Sequence, residues 1–379
     1  MIIENKGPFR LFGMAFNFFY PHLADSQAVS CPPYINGDMC YEKGATVGIL
    51  LLLVFGAAGC NSNVTKDKEK KESIPSVTTD PLPSWNNGAL KESIIAYVKA
   101  VSDTSSNQFI PAVDRIATFD NDGTLWAEKP YVQELFIQYR VRRMVKDSPA
   151  LANKQPFKAI LESDRSYFET GGEKVIIQLI AAMHTGMTAD KFELAVHDFF
   201  AYATYPRWNV PIRQIIYQPQ LELLQYLRSN GFTTFICTGG TAEFVRGISY
   251  QLYDIPKYQV IGTTFKYQYS DSIKSVIREP VITLINDKEG KPAGIATYIG
   301  ERPVFACGNE GGEGDIAMLT YCQGNRYPSY QLLINHDDST REFYYQEKTD
   351  ASLNAAAKNN WHVVSMQKDW LKVFAEPKQ

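Results

Sequence analysis

The sequence predicts an α/β fold built on a parallel sheet, with a helical insertion interrupting the core. From Gly88 onward, short and almost wholly apolar runs recur, as strands buried on both faces of a parallel sheet require. Segments of helical periodicity separate them, the alternation that marks crossover connections. Between Trp126 and Pro219 the strand signal lapses and helical patterns take over.

At 379 residues the chain is long enough for one large or two modest domains with a sizeable core. Hydrophobic residues make up 45% and charged residues 21%, which excludes a disordered polymer. Lys and Arg number 38 against 41 Asp and Glu, a formal charge of -3 that gives a polyphosphate backbone no bulk attraction. Nucleic acid is therefore not expected as a partner. Cys31, Cys40, Cys60, Cys237, Cys307 and Cys322 are scattered, without the close pairs of a zinc site or a disulfide framework.

In chain order, the first element is the uncharged apolar run Ala45 to Ala58, preceded by Lys43 and followed by Gly59 and Cys60. It is too short to cross ~30 Å of hydrocarbon but suits the apolar stretch of a secretory signal. Ala57, Ala58 and Gly59 before Cys60 resemble a bacterial lipobox, although Leu is more usual where Ala57 stands. That resemblance implies a signal peptide over 39–59 and lipidation of Cys60, which would tether the protein to a membrane of the bacterial cell envelope. Residues 1–38, Phe-rich and containing Pro, fit a signal badly and are expected to be an upstream extension, with Met39 the true start. Residues 60–88, with the charge run Lys66 to Glu72 and Pro75, Pro81 and Pro83, read as a flexible linker.

Strands are expected at Ile116 to Phe119, Phe232 to Cys237, Val304 to Cys307, Leu332 to Ile334 and Trp361 to Val364. Before the second of these, Leu221, Leu224 and Leu227 share a helical face that stops at Gly231. Inside the insertion, helices are expected over Tyr131 to Val145, Pro156 to Ser163, Glu173 to His184 and Ala189 to Ala203. Gly186 closes the third and Thr188 caps the fourth. Residues 89–126 and 219–379 thus form a core that flanks a helical segment, 127–218.

The sharpest chemical signal is Phe119-Asp120-Asn121-Asp122-Gly123-Thr124-Leu125-Trp126, directly after an apolar strand. Carboxylates at i and i+2 point the same way as the strand ends. Like charges held so close are costly unless a cation neutralises them or one keeps its proton, so something should bind there. A calcium loop of the helix-loop-helix type needs its Gly at position six, whereas Gly123 stands at position four. The other plain reading is an acidic turn.

The segment resembles the first motif of the haloacid dehalogenase superfamily, Asp-x-Asp-Gly-Thr after the first core strand. The resemblance implies a three-layer, Rossmann-like core whose inserted helices form a cap. It assigns Asp120 the role of a nucleophile that forms an aspartyl phosphate. Asp122 would be the acid/base, protonating the leaving alcohol and then deprotonating the water that hydrolyses the intermediate. Dehalogenases of the superfamily lack the second Asp, so phosphoryl transfer is implied, not carbon-halogen cleavage.

Phe235-Ile236-Cys237-Thr238-Gly239-Gly240 looks like the second motif, in which Thr238 would hydrogen-bond a phosphate oxygen while Gly239 and Gly240 let backbone N–H groups come close. On its own such a turn is common. The third motif is a cation, and Lys291 in Gly290-Lys291-Pro292-Ala293 is preferred to Lys288 because it precedes a helix ahead of the next strand. It would balance the charge of Asp120 and of the phosphoryl group. Val304 to Leu319 resembles the fourth motif, where acids complete a Mg2+ site of oxygen ligands. Here the chain departs from the pattern: Asn309 replaces the usual first acid, and the loop to Asp315 is longer. Asp315 is expected as a ligand together with Asn309 or Glu313, while Asp120 and the backbone carbonyl of Asp122 supply the rest.

Cys237, Cys307 and Cys322 read as buried thiols. His336-Asp337-Asp338 follows a strand and so falls at the sheet edge that carries the motifs. Turn chemistry or helix capping, with Arg341 and Glu342 as a local charge pair, accounts for it without a site. His184 reads as a helix-end residue. The resemblance as a whole implies a Mg2+-dependent phosphohydrolase of the phosphoserine phosphatase branch, acting on a small phosphomonoester that Arg207, Arg213 or Glu128 would meet. Other readings are transfer of the phosphoryl group to another acceptor, carbon-phosphorus cleavage through an imine on Lys129, Lys146 or Lys158, and a non-catalytic envelope lipoprotein that binds a phosphorylated ligand.

Overall fold

The computed structural model describes residues 80–375 apart from 185, 186 and 312. The extension 1–38, the signal 39–59, Cys60, most of the linker and Gly186 lie outside the described residues. Among those described, no helix is long and apolar enough to cross a membrane.

In chain order the elements are α1 (Ala89–Ser102), β1 (Ile116–Phe119), α2 (Val132–Asp147), α3 (Phe157–Leu161), α4 (Arg165–His184), α5 (Ala189–Tyr202), β2 (Thr204–Tyr205), β3 (Val210–Pro211) and α6 (Gln218–Ser229). There follow β4 (Thr233–Thr241), α7 (Ala242–Arg246), α8 (Ser249–Tyr253), β5 (Val260–Ser270), β6 (Ser275–Leu284), α9 (Gly290–Tyr298), β7 (Phe305–Asn309), α10 (Ile316–Gln323), β8 (Tyr330–Asn335), α11 (Ala351–Asn359), β9 (His362–Ser365) and α12 (Met366–Asp369). A seven-stranded sheet has the order β6-β5-β4-β1-β7-β8-β9, parallel throughout except for β6, which runs antiparallel to β5. All five strands expected from the sequence are present as β1, β4, β7, β8 and β9.

Alternation along those strands divides the core into two layers of packing. Phe305, Cys307, Leu332, Ile334 and Ile236 join one apolar cluster with α1 and α6, whereas their neighbours Ala306, Leu333 and Cys237 join another with Ile295, Met318, Leu319 and Ala356 of α9, α10 and α11. Successive strand residues face opposite sides, so the sheet carries helices on both faces. On α6 Leu224 and Leu227 are buried as expected, with Leu223 beside them and Leu221 only partly buried, and the helix stops before Gly231 at φ +75.

Several expectations need correction. The sheet is not wholly parallel, because β5 and β6 form an antiparallel hairpin whose outer half on β5, from Lys266 to Ser270, has no buried position. Such a strand lacks the continuous apolar run of a doubly buried one. The linker ends before Gly88: Leu82 and Trp85 are buried, Trp85 Nε1 donates to Pro219 O at 3.0 Å, and Asp80 pairs with Lys91 at 2.6 Å.

The segment 127–218 is not purely helical either. It includes the short antiparallel ribbon β2–β3, and α4 is broken at Gly172. Nor is it packed as a separate body. Phe192, Val196, Phe199 and Phe200 of α5 join the main cluster, while a second apolar cluster around Val141, Phe157, Ile160 and Phe168 serves α2, α3 and α4. Thr188 caps α5 as expected, accepting from Lys191 N at 3.3 Å, and Arg278 N on β6 donates to Met187 O at 3.0 Å.

Candidate active site

Three neighbouring parallel strands, β4, β1 and β7, end side by side, and their carboxyl ends carry Thr238, Asp120 and Asn309. Such an edge is where open α/β sheets bind ligands. Asp120 continues β1 by donating its N–H to Cys307 O at 2.9 Å, and its side chain is 3% exposed. Lys291, in the first turn of α9, reaches it across 171 residues of sequence: Nζ lies 2.6 Å from Asp120 Oδ1 and also donates to Asp315 Oδ1. Lys288, the competing cation, pairs instead with Glu313 at 3.2 Å.

One ammonium thus serves two buried carboxylates. Burial alone would discharge Lys291, but Asp120 and Asp315 hold it protonated above its ordinary value. Burial, together with the negative charge of Asp315, pushes Asp120 well above the usual carboxylate range, Lys291 acting against that. The cluster is short of positive charge.

Asp122 accepts from Trp126 Nε1 through Oδ1 at 2.8 Å, while its Oδ2 is buried with no hydrogen-bond partner among the described residues. Burial pushes its carboxyl up to about 6, the Trp126 bond acting in the opposite direction. The indole that makes this bond is stacked on Phe200 of α5 at 5.8 Å and 24°. Gly123, at φ +74, is required by a close approach as well as by its turn: a Cβ there would sit 2.1 Å from Asn309 Nδ2.

Thr238 lies in a bulge. Cys237 faces Ile261 and Thr241 faces Thr263, so β4 advances four residues while β5 advances two. Thr238 Oγ1 accepts from Gly240 N at 3.0 Å, and Asn286 Nδ2 holds Thr238 O at 2.9 Å. Gln133, from α2 of the insertion, reaches this turn, its Oε1 accepting from Thr241 N at 3.1 Å and from Thr241 Oγ1 at 3.0 Å. No sequence pattern marks Gln133 or Asn286, because each acts on a loop remote in sequence.

Beyond β7, Asp315 folds back against the strand end and accepts from Asn309 N at 2.9 Å. Gly308 makes room for it, since a Cβ there would meet the Asp315 side chain at 2.5 Å. One end of the Asn309 amide faces inward, 3.2 Å from Asp122 O and 3.3 Å from Asp315 Oδ2; with no cation between them these acceptors suit its NH2, and with a cation they suit its Oδ1. With the amide oxygen turned inward, the three oxygens suit a hard divalent cation. The residues present therefore fit Mg2+, with Asp120 alongside. Among the described residues no three His, Cys, Asp or Glu side chains gather as a metal cluster; this set draws on an amide and a backbone carbonyl instead. Glu313, the alternative to Asn309, is held by Lys288.

The remaining candidates surround this cluster. Cys237, Cys307 and Cys322 are buried free thiols, each pushed up by burial. Arg207 lies over the Phe343 ring at 3.5 Å and donates to Glu342 O, a packing role, and Arg213 is exposed. Glu128 is 2% exposed and 3.4 Å from Lys129 Nζ. Lys129 bonds Tyr131 Oη at 2.6 Å; burial would lower it, but the charges of Glu128 and Tyr131 raise it, so it is held as a cation and is a poor imine-forming amine. Lys146 and Lys158 are exposed. Arg341 pairs with Asp338, not with Glu342, which instead meets His336; α4 ends at His184.

At the mouth of the insertion, Glu134 is 8% exposed and its Oε1 has no partner among the described residues. Burial pushes it up to about 8, against the pull of Lys129 and Arg165. Because its folded pKa lies above its unfolded value, the fold retains a proton that the unfolded chain releases, and stability is lost as pH rises from about 4.3 towards 8. Glu134→Gln should therefore raise Tm by roughly 5 °C at pH 8 and change it little at pH 4.5, as thermal melts at the two pH values would show.

The family model of the haloacid dehalogenase-like hydrolases matches residues 117–320. No curated protein matches the chain. Among solved structures it is similar to a conserved protein of unknown function from Anaerococcus prevotii, at 14% identity over 73% of this chain and 91% of that one, TM-score 0.48. A protein of unknown function from Bordetella pertussis shares 13% identity over 66% and 98%, TM-score 0.44. A phosphoserine phosphohydrolase-like protein from Francisella tularensis shares 17% over 67% and 95%, TM-score 0.36.

Proposed function

Because the chain belongs to the haloacid dehalogenase-like hydrolases, whose model spans more than half of it, we propose that it is a Mg2+-dependent phosphohydrolase acting on a small phosphomonoester through an aspartyl phosphate. The observation that carries this reading is the contact of Lys291 Nζ with Asp120 Oδ1 at 2.6 Å, at the edge of the sheet where β1, β4 and β7 lead to Asp122, Thr238 and Asp315. A nucleophile, an acid, a cation and a phosphate-binding turn from distant parts of the chain converge at one point.

Asp120 attacks phosphorus; the bond from phosphorus to the ester oxygen breaks, and Asp122 delivers a proton to the departing alcohol. Its raised pKa suits it to hold that proton, and its partnerless Oδ2 is the atom available to give it. Asp122 then takes a proton from water as water displaces Asp120 from the phosphorus. Lys291 and the turn at Thr238 and Gly239 hold the phosphoryl oxygens. When bound, Mg2+ supplies the positive charge that the Lys291 ammonium leaves short, with Asp120, the Asp122 carbonyl, Asn309 and Asp315 to hold it. Gln133 ties the insertion to the phosphate-binding turn, which supports its role as a cap that excludes water and bulky substrates. We also propose attachment to the bacterial envelope through Cys60, a reading supported by the apolar run and small residues before it.

Screening the purified protein against phosphomonoesters with Mg2+ or with EDTA tests the reading. Phosphate release from at least one small ester, abolished by EDTA and restored by Mg2+, is expected. No turnover across a broad panel would replace it with ligand binding alone.

A further inference from the structure

An amide is an ambivalent metal ligand, since only its oxygen coordinates a cation. A carboxylate presents oxygen whichever way it turns; Asn309 does not, and something must choose its orientation. His336, directly after β8, and Glu342 are both wholly buried behind it. Glu342 Oε1 lies 3.3 Å from the Tyr217 hydroxyl, and Oε2 lies 3.3 Å from His336 Nδ1. A carboxylate only accepts, so Nδ1 carries a hydrogen, and in the neutral ring Nε2 is left with its lone pair. That lone pair lies 3.4 Å from Asn309 Nδ2, and Tyr345 Oη, which is hydrogen-bonded to Glu128, offers a second acceptor at 3.3 Å. The Tyr345 ring stacks on His336 at 4.2 Å and keeps the imidazole in place.

With no cation bound, the opposite orientation satisfies the inner end better: the amide donates inward to Asp122 O and Asp315 Oδ2, and its oxygen faces the imidazole. The outer acceptors and the inner oxygens therefore compete for one NH2 group. We propose that Glu342 and His336 are positioning residues that settle this competition, drawing the NH2 outward so that Asn309 presents oxygen to the cation where the superfamily's usual acid stands. The inference rests on the metal site assigned under the proposed function.

Glu342→Gln is the direct test. Its amide can donate to His336 Nδ1, moving the ring hydrogen to Nε2, which then calls for the Asn309 oxygen and sends N–H towards the cation. Calorimetric titration with Mg2+ should show affinity 10–100-fold below wild type, with loss of the Mg2+-induced rise in Tm. Asn309→Asp in the same background should restore both, because a carboxylate needs no orienting, and a purely structural lesion would not be rescued this way. Unchanged affinity in Glu342→Gln, or no rescue by Asn309→Asp, overturns the proposal. Should Glu342→Gln fail to fold, His336→Phe with and without Asn309→Asp gives the same readout, and unchanged affinity or absent rescue there overturns the proposal equally. Wild-type protein that binds no Mg2+ defeats the metal reading beneath it, a result distinguishable from wild-type binding matched by the variant.

Discussion

Asp120→Asn should reduce phosphate release by a factor on the order of 10^4 to 10^6 while leaving the protein folded. The substitution removes the attacking oxygen's charge and changes little else in shape. Its effect on stability should be neutral or favourable: burial and the neighbouring Asp315 push Asp120 up, so the charged carboxylate is a burden to the fold, and Lys291 keeps Asp315 as a partner. A melting temperature at or above wild type beside lost turnover would assign the loss to chemistry. Turnover within tenfold of wild type would show that some other group attacks phosphorus.

The second large effect is on the fold. Lys291→Met keeps the length of the side chain and removes its charge, leaving Asp120 and Asp315 buried together with no cation between them. Breaking a buried ion pair by deleting one partner costs about 3–5 kcal/mol. For a domain of this size that is a fall in Tm of roughly 10 °C, together with loss of activity. The same change at Lys288, which pairs with the partly exposed Glu313, should cost well under 1 kcal/mol. Equal melting temperatures for the two variants would remove Lys291 from its place in the charge balance.

What the sequence revealed, and what it hid, divides along physical lines. β1, β4, β7, β8 and β9 were legible because burial on both faces demands continuous apolar runs, and the residues at their ends inherit a common edge from the parallel order. The pattern of strands accounts for Asp120, Asp122 and Thr238 sharing an edge, whereas Lys291, on α9, and Asp315, just before α10, were joined to them only by the resemblance to the superfamily's motifs. The hairpin β5–β6 stayed hidden because the outer half of β5 has no buried position. Trp85 escaped notice because a single aromatic after a Pro-rich stretch looks like linker until Pro219 is seen to accept its N–H. His336 was noticed and Glu342 was paired with the wrong neighbour: charges close in sequence suggested Arg341, whereas the turn directs Arg341 to Asp338 and Glu342 inward. Gln133 gave no signal, since a polar residue in the first turn of a helix is ordinary until its target is known.

Trp126 gives the site an unexpected dependence. Its N–H engages the Asp122 carboxyl while its ring leans on Phe200, so the proton affinity of Asp122 is tied to how a helix remote in sequence is seated. Drift in the residues of α5 would thereby retune the protonation of a carboxyl that none of them touches, and with it the working pH of the proposed reaction.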